Sequence, residues 1–246
     1  MKKFGIIGHG EIGQALNKCY DAKGLSVGIV DTGKELNTLT FNPSVLNIAI
    51  PFSKAFDFVT VVSNYIKTYN PELTIIHSTV LPGTTKKIVE VTGAKVVHSP
   101  VRGVHPNLYE GLQTFVKYVG SDDGVALAMA KAHLAELGIK SEAFGDSDAT
   151  ELAKILDTTY YGMCIAFHND IQKICDLYGV SFDEVATKWN TTYNEGYQTL
   201  GKTNVIRPVL YPPKDGKIGG HCVIPNAELC KQIFDSPVFD YILKLK

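Results

Sequence analysis

Lys3-Phe4-Gly5-Ile6-Ile7-Gly8-His9-Gly10-Glu11-Ile12-Gly13-Gln14-Ala15-Leu16 decides the fold of this chain. An apolar run suited to a strand ends in G-x-G-x-x-G, and the residues that follow carry helical periodicity. The first glycine permits a tight turn, and the second lets a diphosphate reach the backbone. The third lets the helix pack closely, and free N–H groups at the helix start meet anionic charge. A second apolar run ends at Asp31, 18 residues beyond Gly13, where a carboxylate can accept hydrogen bonds from ribose hydroxyls. Strand, glycine turn, helix and distal acid together predict a dinucleotide site. Asp31 would repel a 2′-phosphate, and Thr32-Gly33-Lys34 holds one counter-charge and no arginine, so NAD is expected over NADP.

Outward from this stretch the pattern remains strand and helix in alternation. Strands are expected at 3–7, 26–31, 45–50, 73–77, 95–98 and 115–119, with helices near 53–68, 83–91 and 122–137. Most strands are continuous apolar runs, as a parallel sheet covered on both faces requires. Only 13 residues separate Asp31 from Val45, so the second crossover helix must be short or missing. After Gly145 the period changes to 3.6 residues through Leu152, Ile155, Leu156, Thr159, Met163, Phe167, Ile171, Ile174 and Cys175. One long helix over 146–178 is predicted, capped by Ser147 or Asp148 with Glu151 close behind and ended by Gly179. A further helix is expected from Ser181, where S-F-D-E reads as a capping box, followed by a Pro- and Gly-rich loop over 201–220. The fold class is therefore α/β: a Rossmann-type doubly wound parallel sheet in residues 1–145, then an all-helical substrate and dimerisation domain in 146–246.

The 246 residues hold 24 basic and 25 acidic side chains without a long run of either sign, which argues against nucleic acid or an anionic membrane as partner. No stretch reaches the roughly 20 apolar residues of a membrane span, and the N-terminus lacks the apolar region of a signal peptide, so a cytoplasmic location is expected. Five cysteines without a C-x-x-C pair suit reduced thiols. Cys19, Cys164, Cys175 and Cys230 read as small buried hydrophobes. His9, His98, His105 and His221 show no spacing for a metal site, and no metal is expected. The apolar circumference of the long helix predicts a homodimer packed through 146–178.

Three segments, in order, carry a resemblance: His77-Ser78-Thr79-Val80-Leu81-Pro82-Gly83-Thr84-Thr85, Glu151-Leu152-Ala153-Lys154 and Ile218-Gly219-Gly220-His221-Cys222. They resemble the UDP-glucose/GDP-mannose dehydrogenase family, whose members oxidise a primary alcohol twice to a carboxylate with two NAD and a cysteine. The resemblance implies Cys222 as nucleophile, because a second hydride leaves only once sulfur has made the aldehyde carbon tetrahedral. It implies Lys154 as the cation facing the oxyanion and Thr79 as a residue placing the hydrolytic water. Pro51, Ser78 and Thr79 join Gly8, Gly10, Glu11, Ile12, Gly13 and Asp31 as expected cofactor contacts. Arg102, His105, Arg207, Gly219, Gly220 and His221, with Lys217 nearby, are the expected contacts of an anionic substrate.

The chain also departs from the family. Val101 follows Ser99-Pro100 where the family has glutamate, Thr158 replaces an asparagine four residues beyond Lys154, and Asn226 replaces an aspartate four beyond Cys222. Thr158 and Asn226 stay among the candidate catalytic residues by position. With 24 residues after Cys222, the expected form is a short member without the family's further nucleotide-binding domain, acting on a smaller substrate or completed by another subunit. Two alternatives stand beside it. One is a single-hydride enzyme of the 3-hydroxyacid dehydrogenase type, with Lys154 as acid or base. The other is a nucleotide-binding sensor or accessory subunit without turnover.

Overall fold

A computed structural model describes residues 3–53, 56–219 and 222–246. Its elements form two compact units, Met1–Lys154 and Ile155–Lys246. The first unit holds β1 (Phe4–Ile7), α1 (Glu11–Asp21), β2 (Val27–Asp31), β3 (Leu36–Asn37), β4 (Val45–Ile48), α2 (Phe58–Tyr69) and β5 (Leu73–Ile76). These are followed by α3 (Thr84–Thr92), β6 (Val96–His98), α4 (Leu108–Thr114), β7 (Lys117–Val119), α5 (Gly124–Glu136) and β8 (Ser141–Ala143). The main sheet runs β3-β2-β1-β4-β5-β6, with every pair parallel except β2 and β3. Strand order reverses between β1 and β4, which places a topological switch point at their carboxyl ends.

Alternation along the apolar strands divides the core between the two faces. Phe4, Ile6, Ile75 and Val97 pack with Leu16, Leu112 and Leu134 of α1, α4 and α5. Ile7, Leu46, Ile48 and Ile76 pack with Val62, Ile66 and Ile88 of α2 and α3. The short link expected after Asp31 is a single helical turn, Thr32–Lys34, and the two-residue antiparallel edge strand β3. The strand expected at 115–119 narrows to β7, which pairs with β8 in a separate two-stranded sheet. Helices expected from 53 and 122 begin later, because Asp57 accepts from the N–H of Val59 and Thr60, and Asp123 from those of Val125 and Ala126.

The long helix α6 (Ser147–Tyr178) forms as expected, but its cap is Asp146, whose Oδ1 accepts from Ala149 N at 3.0 Å. Asp148 and Glu151 are turned to other partners, described below. The division between compact units falls inside α6, nine residues after the boundary read from the sequence, since Asp146, Asp148, Thr150 and Glu151 all bond within the first unit.

The second unit is helical among the described residues: the rest of α6, a π-helical stretch Asp183–Lys188, α7 (Trp189–Thr199), α8 (Val223–Ile233) and α9 (Pro237–Leu243). The capping box expected at Ser181 does not form. Val185 N–H bonds to the Ser181 carbonyl, and the Ser181 hydroxyl makes no bond among the described residues. Gly162 lets α6 and α8 approach closely, since a Cβ there would lie 2.3 Å from Val223 Cγ1. Tyr241 of α9 donates to Asp170 Oδ2 at 2.6 Å, and Ile218, Val223, Ile224, Ala227 and Ile242 form a small core.

Candidate functional site

The glycine turn does what its residue types require. Gly8 has φ +93°, and a Cβ there would lie 2.6 Å from the Ala49 carbonyl oxygen. A Cβ on Gly13 would lie 2.0 Å from the Gly8 carbonyl oxygen, so α1 sits on β1 as only glycine allows. Gly10 would meet nothing within 4 Å, which leaves open space beside the first turn of α1. No side chain caps that turn, so its leading N–H groups remain available to an anion. Asp31 binds the turn from the side: Oδ2 accepts from His9 N at 2.7 Å and Oδ1 from Lys34 N at 3.1 Å. Lys34 Nζ is held by the His9 carbonyl at 2.6 Å. An open glycine, an uncapped helix start and a carboxylate at the end of β2 fit a dinucleotide.

The remaining carboxyl ends carry the other expected residues. Exposed Pro51 follows β4, while Ser78 is buried beyond β5 with its hydroxyl on the Ile50 carbonyl at 2.6 Å. Thr79 beside it is half-buried. Val101 is buried in the apolar core. His105 bonds the carboxylate of Glu11 on the first turn of α1, and Arg102 lies over the rings of Tyr118 (5.3 Å) and Phe115 (5.8 Å).

Glu151 explains why two of the three segments belong together. Fully buried, it accepts from Gly83 N at 2.8 Å, Thr85 N at 2.9 Å and the Thr85 hydroxyl at 2.6 Å. It thereby closes the start of α3, where Gly83 takes φ +85°. Burial pushes its carboxyl up to about 7 against the pull of these donors. Asp148 Oδ1 joins it on Gly83 N at 2.9 Å, and Lys86 reaches Asp148 at 2.7 Å and Asp146 at 3.0 Å. Half-buried Lys154 lies one turn beyond Glu151 on the same helix.

Polar groups to which sequence reading gave no role sit deeper. Lys117, nearly inaccessible, donates to the carbonyls of Ser99 and Pro100. Burial, then the nearby Lys154, holds its ammonium well below the usual lysine range. Asn47 bridges His77 and the Tyr20 hydroxyl, which in turn meets His133 at 2.8 Å. The available signal was a polar residue inside an apolar strand: Asn47 in V-L-N-I, His98 in K-V-V-H and Lys117 in F-V-K-Y-V.

In the second unit Cys222 is half-buried at the N-cap of α8, and buried Asn226 bonds back through its N–H to the Cys222 carbonyl at 3.1 Å. Cys19, Cys175 and Cys230 are buried as expected, whereas Cys164 is only half-buried. Thr158 is half-buried on α6, and exposed Gly219 borders a cleft of about 360 Å³ lined by Tyr161, Ile165, Val209, Tyr211 and Ile218. Arg207 stacks on Tyr193 at 3.9 Å and is pinned by two backbone bonds to Asn194. Gly220 and His221 lie outside the described residues. Among the described residues no cluster of His, Cys, Asp or Glu could hold a metal, and no helix is long and apolar enough to cross a membrane.

A mainly parallel sheet wound about a glycine turn and followed by a long helix is a Rossmann-type architecture, one also seen in solved dehydrogenases. Among them, the resemblance read from the three segments to nucleotide-sugar dehydrogenases is borne out by curated relatives. The chain is 26% identical over 195 residues to a UDP-N-acetyl-D-mannosamine dehydrogenase of Methanococcus maripaludis, covering 78% of this chain and 39% of that protein. The chain thus spans well under half the length of this curated relative. Its structure is similar to that of the UDP-D-ManNAc dehydrogenase of Pyrococcus horikoshii, with a TM-score of 0.74 and 18% identity over 99% of this chain and 68% of that one. It is also similar to a 3-hydroxyisobutyrate dehydrogenase of Mycobacterium tuberculosis, with a TM-score of 0.72 and 16% identity over 99% of this chain and 92% of that one. No family model matches the chain.

Proposed function

We propose that the chain is an NAD-dependent oxidoreductase of the nucleotide-sugar dehydrogenase type, oxidising a primary alcohol on a sugar-like, anionic substrate. The observation that supports this most is the convergence at the switch point of open Gly10, the uncapped first turn of α1 and Asp31. The N–H groups of Glu11 and Ile12 would hold the diphosphate, and Asp31 the adenosine ribose. When bound, the dinucleotide supplies a hydride acceptor. Lys154 offsets the charge of the alkoxide as the alcohol loses its proton. Cys222 offers a thiolate whose sulfur bonds the aldehyde carbon and returns it to tetrahedral geometry; that carbon would lose a second hydride to a second NAD, and water would open the resulting thioester, releasing the carboxylate and the Cys222 thiol. The apolar side chains along α6 support a homodimer formed through that helix.

A second reading, transfer of one hydride with Cys222 uninvolved, is favoured by Val101. The apolar core occupies the position where the family carries a glutamate, so no carboxylate stands there to activate water. A screen by NADH absorbance over UDP-N-acetyl-D-mannosamine, UDP-glucose, sugar phosphates and small hydroxyacids separates the two. Two NADH per substrate is the expected result, one NADH favours the second reading, and none with every substrate contradicts both.

A further inference from the structure

Buried His98 joins the segment of Ser78 and Thr79 to Thr150, next to the segment of Glu151 and Lys154, through both of its ring nitrogens. Nε2 lies 3.1 Å from the Ser78 carbonyl oxygen and Nδ1 lies 2.8 Å from Thr150 Oγ1. Its surroundings clamp it. Its own backbone exchanges two bonds with Gly120, at 2.9 and 2.8 Å, and a Cβ on Gly120 would lie 2.5 Å from Thr150 Oγ1. Only the bare glycine lets α6 close onto the ring.

Burial is the main force that holds the imidazole neutral, down to about 3, and Lys117 and Lys154 also oppose a cation there. A neutral imidazole has one donor and one acceptor. The Ser78 carbonyl can only accept, so the proton must be on Nε2, and Nδ1 must accept from the Thr150 hydroxyl. That hydroxyl also stands 2.9 Å from the Ser147 carbonyl, but it has a single hydrogen. Giving it to His98 leaves nothing unpaired, because the α-helical bond from residue 151 serves Ser147.

The consequence lies on the far side of the peptide. In a trans amide the carbonyl and the next N–H point in opposite directions. With its carbonyl drawn to His98, the Ser78–Thr79 peptide turns the Thr79 N–H away from the ring. That N–H has no acceptor among the described residues. We propose that His98 is a positioning residue that, in its Nε2–H tautomer, aims the Thr79 N–H at the bound ligand and ties that peptide to α6 one turn before Lys154. The ligand contact rests on the dinucleotide reading, whereas the tautomer and the aim of the peptide do not.

Two variants and one spectrum test it. His98→Gln keeps a donor at the ε position, whereas His98→Asn keeps a group only at the δ position. Calorimetry with NAD should find the Gln variant within about threefold of the parent and the Asn variant about tenfold weaker, the loss of one oriented hydrogen bond. The Thr79 amide resonance should move in the Asn variant and stay near its position in the Gln variant. Imidazole ¹⁵N spectra of the parent at pH 7 should show Nε2–H. Equal affinities and equal Thr79 shifts in the two variants, or an Nδ1–H or imidazolium spectrum, would overturn the proposal. Should the parent bind no NAD, the dinucleotide reading fails, while the spectrum and the Thr79 shift still decide the role of His98.

Discussion

The carboxyl edge of the sheet in the first unit and the helical surface of the second differ in how their residues are held. At the sheet edge, Asp31, Ser78, His98, Lys117 and Glu151 each bond to another residue of the same unit, several of them fully buried. In the second unit large apolar side chains remain in solvent: Leu177 is 81% exposed, Tyr178 74%, Trp189 67% and Phe167 56%. The first arrangement is preorganised, so the dinucleotide proposed to bind there would find the conformational cost already met by folding. The second leaves in solvent the apolar side chains that the proposed homodimer would cover.

The comparison breaks most visibly at the glycines. Gly13→Ala should cost about 3 kcal/mol or more in chemical denaturation, because its Cβ would press on the backbone of Gly8. Gly10→Ala, with open space around it, should unfold like the parent yet bind NAD at least about tenfold more weakly. Equal stability in both variants would mean that the turn is looser than this packing implies. Cys222→Ser tests the second unit's chemistry. It should preserve the melting temperature and slow the second oxidation by at least about a hundredfold, ~2.7 kcal/mol. Unchanged rate and NADH stoichiometry would remove the cysteine from the mechanism.

Glu151→Gln should cost about 1–3 kcal/mol, because an amide NH₂ would face one of the donors on Gly83 or Thr85. The carboxyl is raised from 4.5 to about 7 in the folded chain, so folding binds a proton. Its contribution is therefore full below pH 4.5 and is lost as pH rises through 7. Denaturation midpoints should show the gap between parent and Gln variant narrowing from pH 4.5 toward pH 7.5, and a widening gap would contradict the assignment. The smallest effect on stability is expected on the exposed helix face. Phe167→Glu with Ile174→Glu should change unfolding by less than about 0.5 kcal/mol per site when parent and variant are compared at dilutions where both are monomeric. Light scattering should nevertheless show a mass of twice the chain for the parent and once the chain for the double variant. A monomeric parent at micromolar concentration would count against the homodimer.

Legibility in the sequence followed the range of the forces involved. The turn at Gly8, Gly10 and Gly13 was readable because its constraints are local, and the continuous apolar strands announced a sheet covered on both faces. The start of α6 was misread because Asp148 and Glu151 bond to Gly83 and Thr85, more than 60 residues away. Edge strand β3 was missed because two residues carry no period. The roles of His98 and Lys117 depend on which carbonyls face them across the sheet, which no local pattern records. Apolar spacing along 146–178 revealed a helix with an apolar face, but periodicity reports the face and not what covers it. Leu156 and Ile174 accordingly share the spacing of buried Ile155 and yet stand in solvent.

Dinucleotide binding at the preorganised edge is tested most directly by calorimetric titration of the full chain with NAD and with NADP, repeated for Asp31→Ala. One NAD per chain, bound more tightly than NADP, with the difference reduced in the variant, is the expected result. Absence of heat with either nucleotide, or tighter binding of NADP to the parent, would contradict it.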